Sequence, residues 1–304
     1  MSRLLGLFVS LVTVQMAYGQ SGSLLETNVS SHFFSGSRTI HIYLPPSYQT
    51  QPQRRYPVLY LQDGQNVFSS AGTNAAFGWG SWDLDRTVDK LGREGKMQEI
   101  IMVAIDNSPA RLKEYNGSHG SPGITNTAFD NYERFLVTEL KPQMDREYRT
   151  LPDPADTAVM GSSLGGFCSV VLAWEHPEIF GGAACLSGSF QIDHTNFLDE
   201  VLKNYRGQPK PFRIYLDSGV VDFEGGDDNR SLTKEAAVQL RRIGWKRDLR
   251  LFVDKKPMKP AELEKAGLRH DKWAEAQTSQ HNEFYWRVRS WRALTFLFPE
   301  LEPK

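Results

Sequence analysis

Short apolar runs alternating with helix-like stretches are the feature that most narrows what this chain can fold into. Tyr56-Pro57-Val58-Leu59-Tyr60-Leu61 and Ile100 to Ile105 are nearly continuous apolar runs, as in strands covered on both faces. Ile40-His41-Ile42-Tyr43-Leu44 alternates like a half-buried strand and stops at Pro45-Pro46. Thr157 to Met160, Ala183 to Leu186, Phe212 to Leu216 and Leu249 to Val253 read as further short strands. Helical spacing over Phe129 to Leu140, ending at Pro142, and near 165–175, 194–204, 231–243 and 282–297 separates them. This order predicts an α/β fold, a mostly parallel central sheet with helices on both faces. In such sheets the chemistry sits beyond the carboxyl ends of the strands.

The first residues stand apart from that pattern. Arg3 precedes the mostly apolar Leu4 to Met16, and Ala17-Tyr18-Gly19 supplies small residues for cleavage. Residues 1–19 therefore read as a secretory signal peptide, its apolar core too short to span a bilayer. Residues 20–304 are expected to form one domain, secreted or periplasmic. Setting Arg3 aside takes the 35 basic residues to 34 against 36 acidic ones, a net of −2. That balance leaves no electrostatic footprint for nucleic acid or an anionic membrane. Cys168 and Cys185 both lie in apolar runs and read as buried thiols rather than a disulfide framework.

A strand-like run leads straight into Gly161-Ser162-Ser163-Leu164-Gly165-Gly166-Phe167. In a Gly-x-Ser-x-Gly elbow the central serine is strained and lifted above the sheet edge, while strand and helix nearly touch two residues to either side. Gly161 and Gly165 hold those two positions and centre the motif on Ser163 rather than Ser162. The Leu164 N–H, at the start of the following helix, would then face a developing oxyanion.

A serine hydroxyl needs a histidine to take its proton and a carboxylate to orient that histidine, in the chain order Ser, acid, His. His281 opens the last helical stretch and is the expected base, whereas His270 sits among charges as a solvated residue. The acid should follow the strand Phe212 to Leu216, where Asp217, Asp222, Glu224, Asp227 and Asp228 are available. Asp222, one tight turn past Gly219, is the expected acid. The acidic run at 222–229 lacks the ligand spacing of a known calcium loop. The second oxyanion donor is expected from the turn Gln62-Asp63-Gly64-Gln65-Asn66, with Gly64 allowing the turn and the Gln65 N–H donating.

Several stretches in order, among them "YPVLYLQDGQNVF", "IIMVAIDNSPARLKEY", "VMGSSLGGFCSVVLAWEHPEIFGGAACLSGSF" and "HNEFYWRVRSWRALTFLF", resemble the putative esterase family of α/β-hydrolases. That family includes esterase D-like enzymes, feruloyl esterases and siderophore esterases. The resemblance runs from about residue 36 to 299. It implies an α/β-hydrolase fold and carboxylic-ester hydrolysis by Ser163 and His281. The expected chemistry is two-step acyl transfer through an acyl-enzyme, needing neither metal nor organic cofactor. The expected partner is a small-molecule or acylated-saccharide ester. Transfer to an alcohol and a non-catalytic binding role are the alternatives.

Three further stretches bear on the substrate. Residues 77–85, with Trp79 and Trp82, and residues 108–121 should lie above the strand ends, the two indoles chiefly packing loops. The charged stretch 255–280 departs from the family pattern, and Leu263, Leu268 and Trp273 could give it one apolar side. It is expected to fold over the cleft as a partial helical cover.

Overall fold

The central apolar runs become strands because both of their faces find cover. The computed structural model describes residues 21–117, 127–192 and 195–301. The expected signal peptide and the end of the 108–121 stretch lie outside the described residues. Eight strands form the main sheet: β1 (Ser23–Ser30), β2 (Ser37–Leu44), β3 (Val58–Gln62), β4 (Ile101–Ile105), β5 (Thr157–Ser162), β6 (Gly182–Leu186), β7 (Arg213–Ser218) and β8 (Leu249–Val253). Their order is β1-β2-β4-β3-β5-β6-β7-β8. β1 with β2 and β2 with β4 are antiparallel, and the remaining pairs are parallel. The fold class is the α/β architecture expected from the sequence.

The two-faced burial is plain along β3. Val58 and Tyr60 enter one core cluster, with Val159, Phe167 and Phe180. Leu59 and Leu61 enter the other, with Met160, Trp286 and Leu294. A side chain so buried contributes roughly 1.5–3 kcal/mol of transfer free energy, and alternation sends it to both layers at once. The main helices are α1 (Leu84–Arg93), α2 (Thr127–Arg134), α3 (Lys141–Glu147), α4 (Ser163–Glu175), α5 (Arg230–Ile243), α6 (Pro260–Lys265), α7 (Trp273–Thr278) and α8 (Glu283–Leu297). α4 packs into the first cluster, while α1 and α8 pack into the second.

The structure departs from the pattern reading in four places. β1 was not legible because its residues are mostly half-exposed or exposed, so no apolar alternation marks it. α1 was likewise not read. Helical structure continues past Pro142 to Glu147, because a π-helical stretch at Phe135–Leu140 widens the ladder where proline has no N–H to give. The helix expected near 194–204 is a single π-type stretch, Phe197–Leu202. Cys168 and Cys185 are buried free thiols.

Candidate active site

β5 ends on Ser162, and the chain turns at Ser163 with φ +53°, a left-handed conformation rare for serine. α4 begins on that residue. A Cβ at Gly161 would lie 2.5 Å from the Gly165 carbonyl, and one at Gly165 would lie 2.9 Å from Gln62 Cβ and Asp63 Oδ2. The two glycines thus permit an approach of strand to helix that no side chain would, and that approach fixes Ser163 at the sheet edge. Ser162 is buried at the strand end.

The Ser163 hydroxyl lies 2.8 Å from His281 Nε2, and His281 Nδ1 lies 2.6 Å from Asp228 Oδ1. The carboxylate only accepts, so Nδ1 carries the proton, leaving Nε2 to accept from Ser163. Asp228 is fully buried. The acid expected at Asp222 therefore requires correction in its geometry. The Asp222 carboxylate turns back to accept from the Glu224 and Gly226 N–H groups, closing a surface turn. Asp217 faces Tyr215 and Arg289, and Asp227 caps α5 through the Arg230 and Ser231 N–H groups. Asp228 and Asn229 both take left-handed φ, +53° and +55°. Asp and Asn tolerate that region better than most residues, and the pair just before a helix was the available signal.

Behind Asp228 stands a support that sequence reasoning did not reach. Its Oδ2 accepts from the Gly219 N–H and from Ser187 Oγ at 2.7 Å. Ser187 Oγ in turn accepts from Arg289 Nη2 at 2.8 Å and Trp286 Nε1 at 3.1 Å. Buried Arg289 also lies 3.2 Å from Asp217, 3.6 Å from Asp254 and 3.9 Å from Asp228. Burial pushes the Asp217 carboxyl up to about 6, with the Arg289 guanidinium opposing it. His281 is held from its other side by Gln280, whose N–H donates to Val221 O and whose side chain accepts from the Val220 N–H at 2.6 Å. The 219–222 turn and the loop before α8 are thereby locked together.

The turn after β3 is built differently from the sequence expectation. Asp63, not Gly64, takes the left-handed conformation, at φ +57°. Gly64 is needed for close approach, since a Cβ there would lie 2.7 Å from the Ala104 and Ile105 backbone. Asp63 is gripped by Arg111 Nε at 2.6 Å and Nη2 at 2.8 Å, and by Asn107 Nδ2 at 2.6 Å. This fixes Gln65, which lines the cleft with Ser163 and His281.

That cleft encloses about 820 Å³. Trp82 packs against Trp286 with ring centroids 5.8 Å apart, and Trp286 stands edge-on to the His281 ring at 5.1 Å. Trp79 belongs to a small separate core with Leu263, Leu268, Ala276, Phe284 and Tyr285. Both tryptophans pack loops, and both also line the cleft. The 255–280 stretch is thus anchored on α8 and the Trp79 loop, and it contributes Glu275 and Ser279 to the cleft wall. His270 is exposed.

A family model described as "Putative esterase" matches residues 31–289. An uncharacterized Bacillus subtilis protein, YbbA, is 22% identical over 249 residues, 76% of this chain and 89% of that protein. An endo-1,4-beta-xylanase/feruloyl esterase of Xylanibacter ruminicola is 29% identical over 174 residues, 55% of this chain but only 22% of that longer protein. Among solved structures, a ferulic acid esterase superposes with a TM-score of 0.66 at 18% identity, covering 92% of this chain and 98% of its own. At that identity the likeness speaks to the fold, an α/β-hydrolase.

Proposed function

Because the chain belongs to the putative esterase family, a family of carboxylic ester hydrolases, we propose that it hydrolyses its ester through Ser163, His281 and Asp228. The observation that carries this reading is the unbroken relay from Ser163 Oγ through the His281 ring to Asp228, at the floor of an 820 Å³ cleft. His281 removes the Ser163 proton as Oγ attacks the ester carbonyl, and Asp228 stabilises the imidazolium that forms. The backbone N–H groups of Leu164 and Gln65 receive the oxyanion, helped by the α4 dipole. His281 then protonates the leaving alcohol. Water, activated by the same histidine, attacks the acyl-enzyme and frees Ser163. No step calls on a metal or organic cofactor.

The substrate class follows from the cleft's aromatic lining and from relatives named as feruloyl esterases: an ester of a small acid, carried on a small molecule or a saccharide. Export by residues 1–19 is part of the same reading, with residues 20–304 as the mature domain. Among the described residues no helix is long and apolar enough to cross a membrane. Release of p-nitrophenol and acetate from p-nitrophenyl acetate by the purified protein tests the activity, and absence of turnover across a panel of acyl lengths contradicts it.

The 255–280 stretch acts in this reading as a partial wall that limits substrate bulk, since Glu275 and Ser279 line the cleft. Replacing 256–277 by a short Gly/Ser linker should raise kcat/KM for bulky esters relative to p-nitrophenyl acetate by about threefold or more. An unchanged ratio in a folded variant assigns the stretch to packing alone.

A further inference from the structure

The cleft wall carries charge that the proposed hydrolysis does not use. Three carboxylates line it: Asp63, Glu275 and Glu283. Asp63 is consumed by Arg111. Glu275 pairs with Lys272 at 2.8 Å. Glu283, two residues after His281, makes no ion pair among the described residues, and its hydrogen bond comes from the neutral amide of Asn66 at 3.3 Å. The nearby Asp83 is shared between Arg86 and Arg287.

The same cleft is lined by the aromatic residues Phe77, Trp79, Trp82, Phe223 and Trp286. Phe77 is 97% exposed and Phe223 68% exposed, so two rings stand unburied where a ligand would enter. The protein already seats one cation in this lining, with Lys272 Nζ 4.7 Å from the Trp79 ring centroid. Ring faces in a cleft that also carries a carboxyl without an ion-pair partner are the chemistry that binds an alkylammonium group, by cation–π attraction and charge together. A neutral sugar or aryl group would use the rings but would leave the Glu283 charge unmatched.

We propose that the cleft selects esters carrying a cationic group and that Glu283 is the residue that makes the selection. This rests on the reading of Ser163 as an ester-hydrolysing nucleophile. Burial pushes the Glu283 carboxyl up to about 7, with Asp63 adding to the rise and Arg111 opposing it. The residue is therefore mostly neutral near pH 6 and mostly ionised near pH 8. Preference for the cation should grow across that interval, and binding of the cation at pH 7 should expel up to about half a proton per site.

The test compares two p-nitrophenyl esters of equal shape, the 4-(trimethylammonio)butanoate and the neutral 5,5-dimethylhexanoate. The ratio of their kcat/KM values cancels any pH effect on the hydrolytic machinery, which both esters share. It should rise roughly tenfold from pH 6 to pH 8, as for one charge-assisted contact. Glu283→Gln should flatten that rise, and Glu275→Gln should leave it in place. Calorimetric titration of Ser163→Ala protein with the cationic ester at pH 7, in two buffers of different ionisation enthalpy, reads the proton release without turnover. Release that disappears when Glu283→Gln is added supports the assignment. A flat ratio in active enzyme, or binding with no proton released, overturns it and leaves the hydrolase reading intact. Proton release from a protein that turns over neither ester instead contradicts the hydrolase reading.

Discussion

Ser163→Ala should lower turnover of p-nitrophenyl acetate by at least about 10³-fold, the scale on which triad members act. Ser162→Ala should keep most of the activity. The two hydroxyls are adjacent in sequence, but only Ser163 sits at left-handed φ with its Oγ 2.8 Å from His281 Nε2, while Ser162 is buried at the end of β5. The fold should survive the first change, because a methyl group at Ser163 keeps the Cβ and removes only an oxygen facing the cleft. Initial rates on both variants, with circular dichroism to confirm folding, decide the matter. A reversed pattern would mean that the elbow is centred one residue earlier.

Asp228→Asn is the second large effect, with an expected loss of about 10²–10⁴ in kcat. An amide in that place would offer His281 Nδ1 either a donor or a weaker acceptor, disfavouring the tautomer in which Nε2 accepts from Ser163. It would also disturb the hydrogen bonds that Oδ2 accepts from Ser187 and Gly219. Asp222→Asn should cost less than about threefold, since its carboxylate serves a surface turn. Steady-state kinetics on the two variants separates them, and comparable losses in both would contradict the assignment of the acid.

What the sequence disclosed follows from which interactions are local. The strands with two buried faces announced themselves through unbroken apolar residues, and the elbow did so through the spacing of Gly161 and Gly165, although only Gly161 is required by a contact four residues long and Gly165 is crowded by Gln62 and Asp63. The position of His281 just before α8 was legible because a helical stretch late in the chain follows it. The carboxylate that meets His281 was not, because Asp217 near the end of β7 and four carboxylates after it fall within twelve residues and only tertiary structure tells them apart. Asp222 looked well placed along the chain, but its side chain bonds its own turn. Asp228 reaches His281 through two consecutive left-handed residues and a buried set of donors drawn from Ser187, Gly219, Trp286 and Arg289. Those partners lie up to 102 residues apart, and no local pattern links them. The role given to Gly64 failed for a related reason, since the crowding at that glycine comes from β4, about forty residues away along the chain.

The most direct measurement is covalent. Treating the protein with diethyl p-nitrophenyl phosphate, an acylating-agent analogue that leaves a stable phosphoserine ester, and mapping the adduct by peptide mass spectrometry reports which hydroxyl is activated. One diethylphosphoryl group on Ser163, absent in Ser163→Ala and formed far more slowly in Asp228→Asn, is the predicted result. An adduct on Ser162, or on Ser189 whose Oγ lies 3.5 Å from that of Ser163, or labelling of Ser163 at the wild-type rate in Asp228→Asn, would contradict the account of a serine activated by His281 and oriented by Asp228.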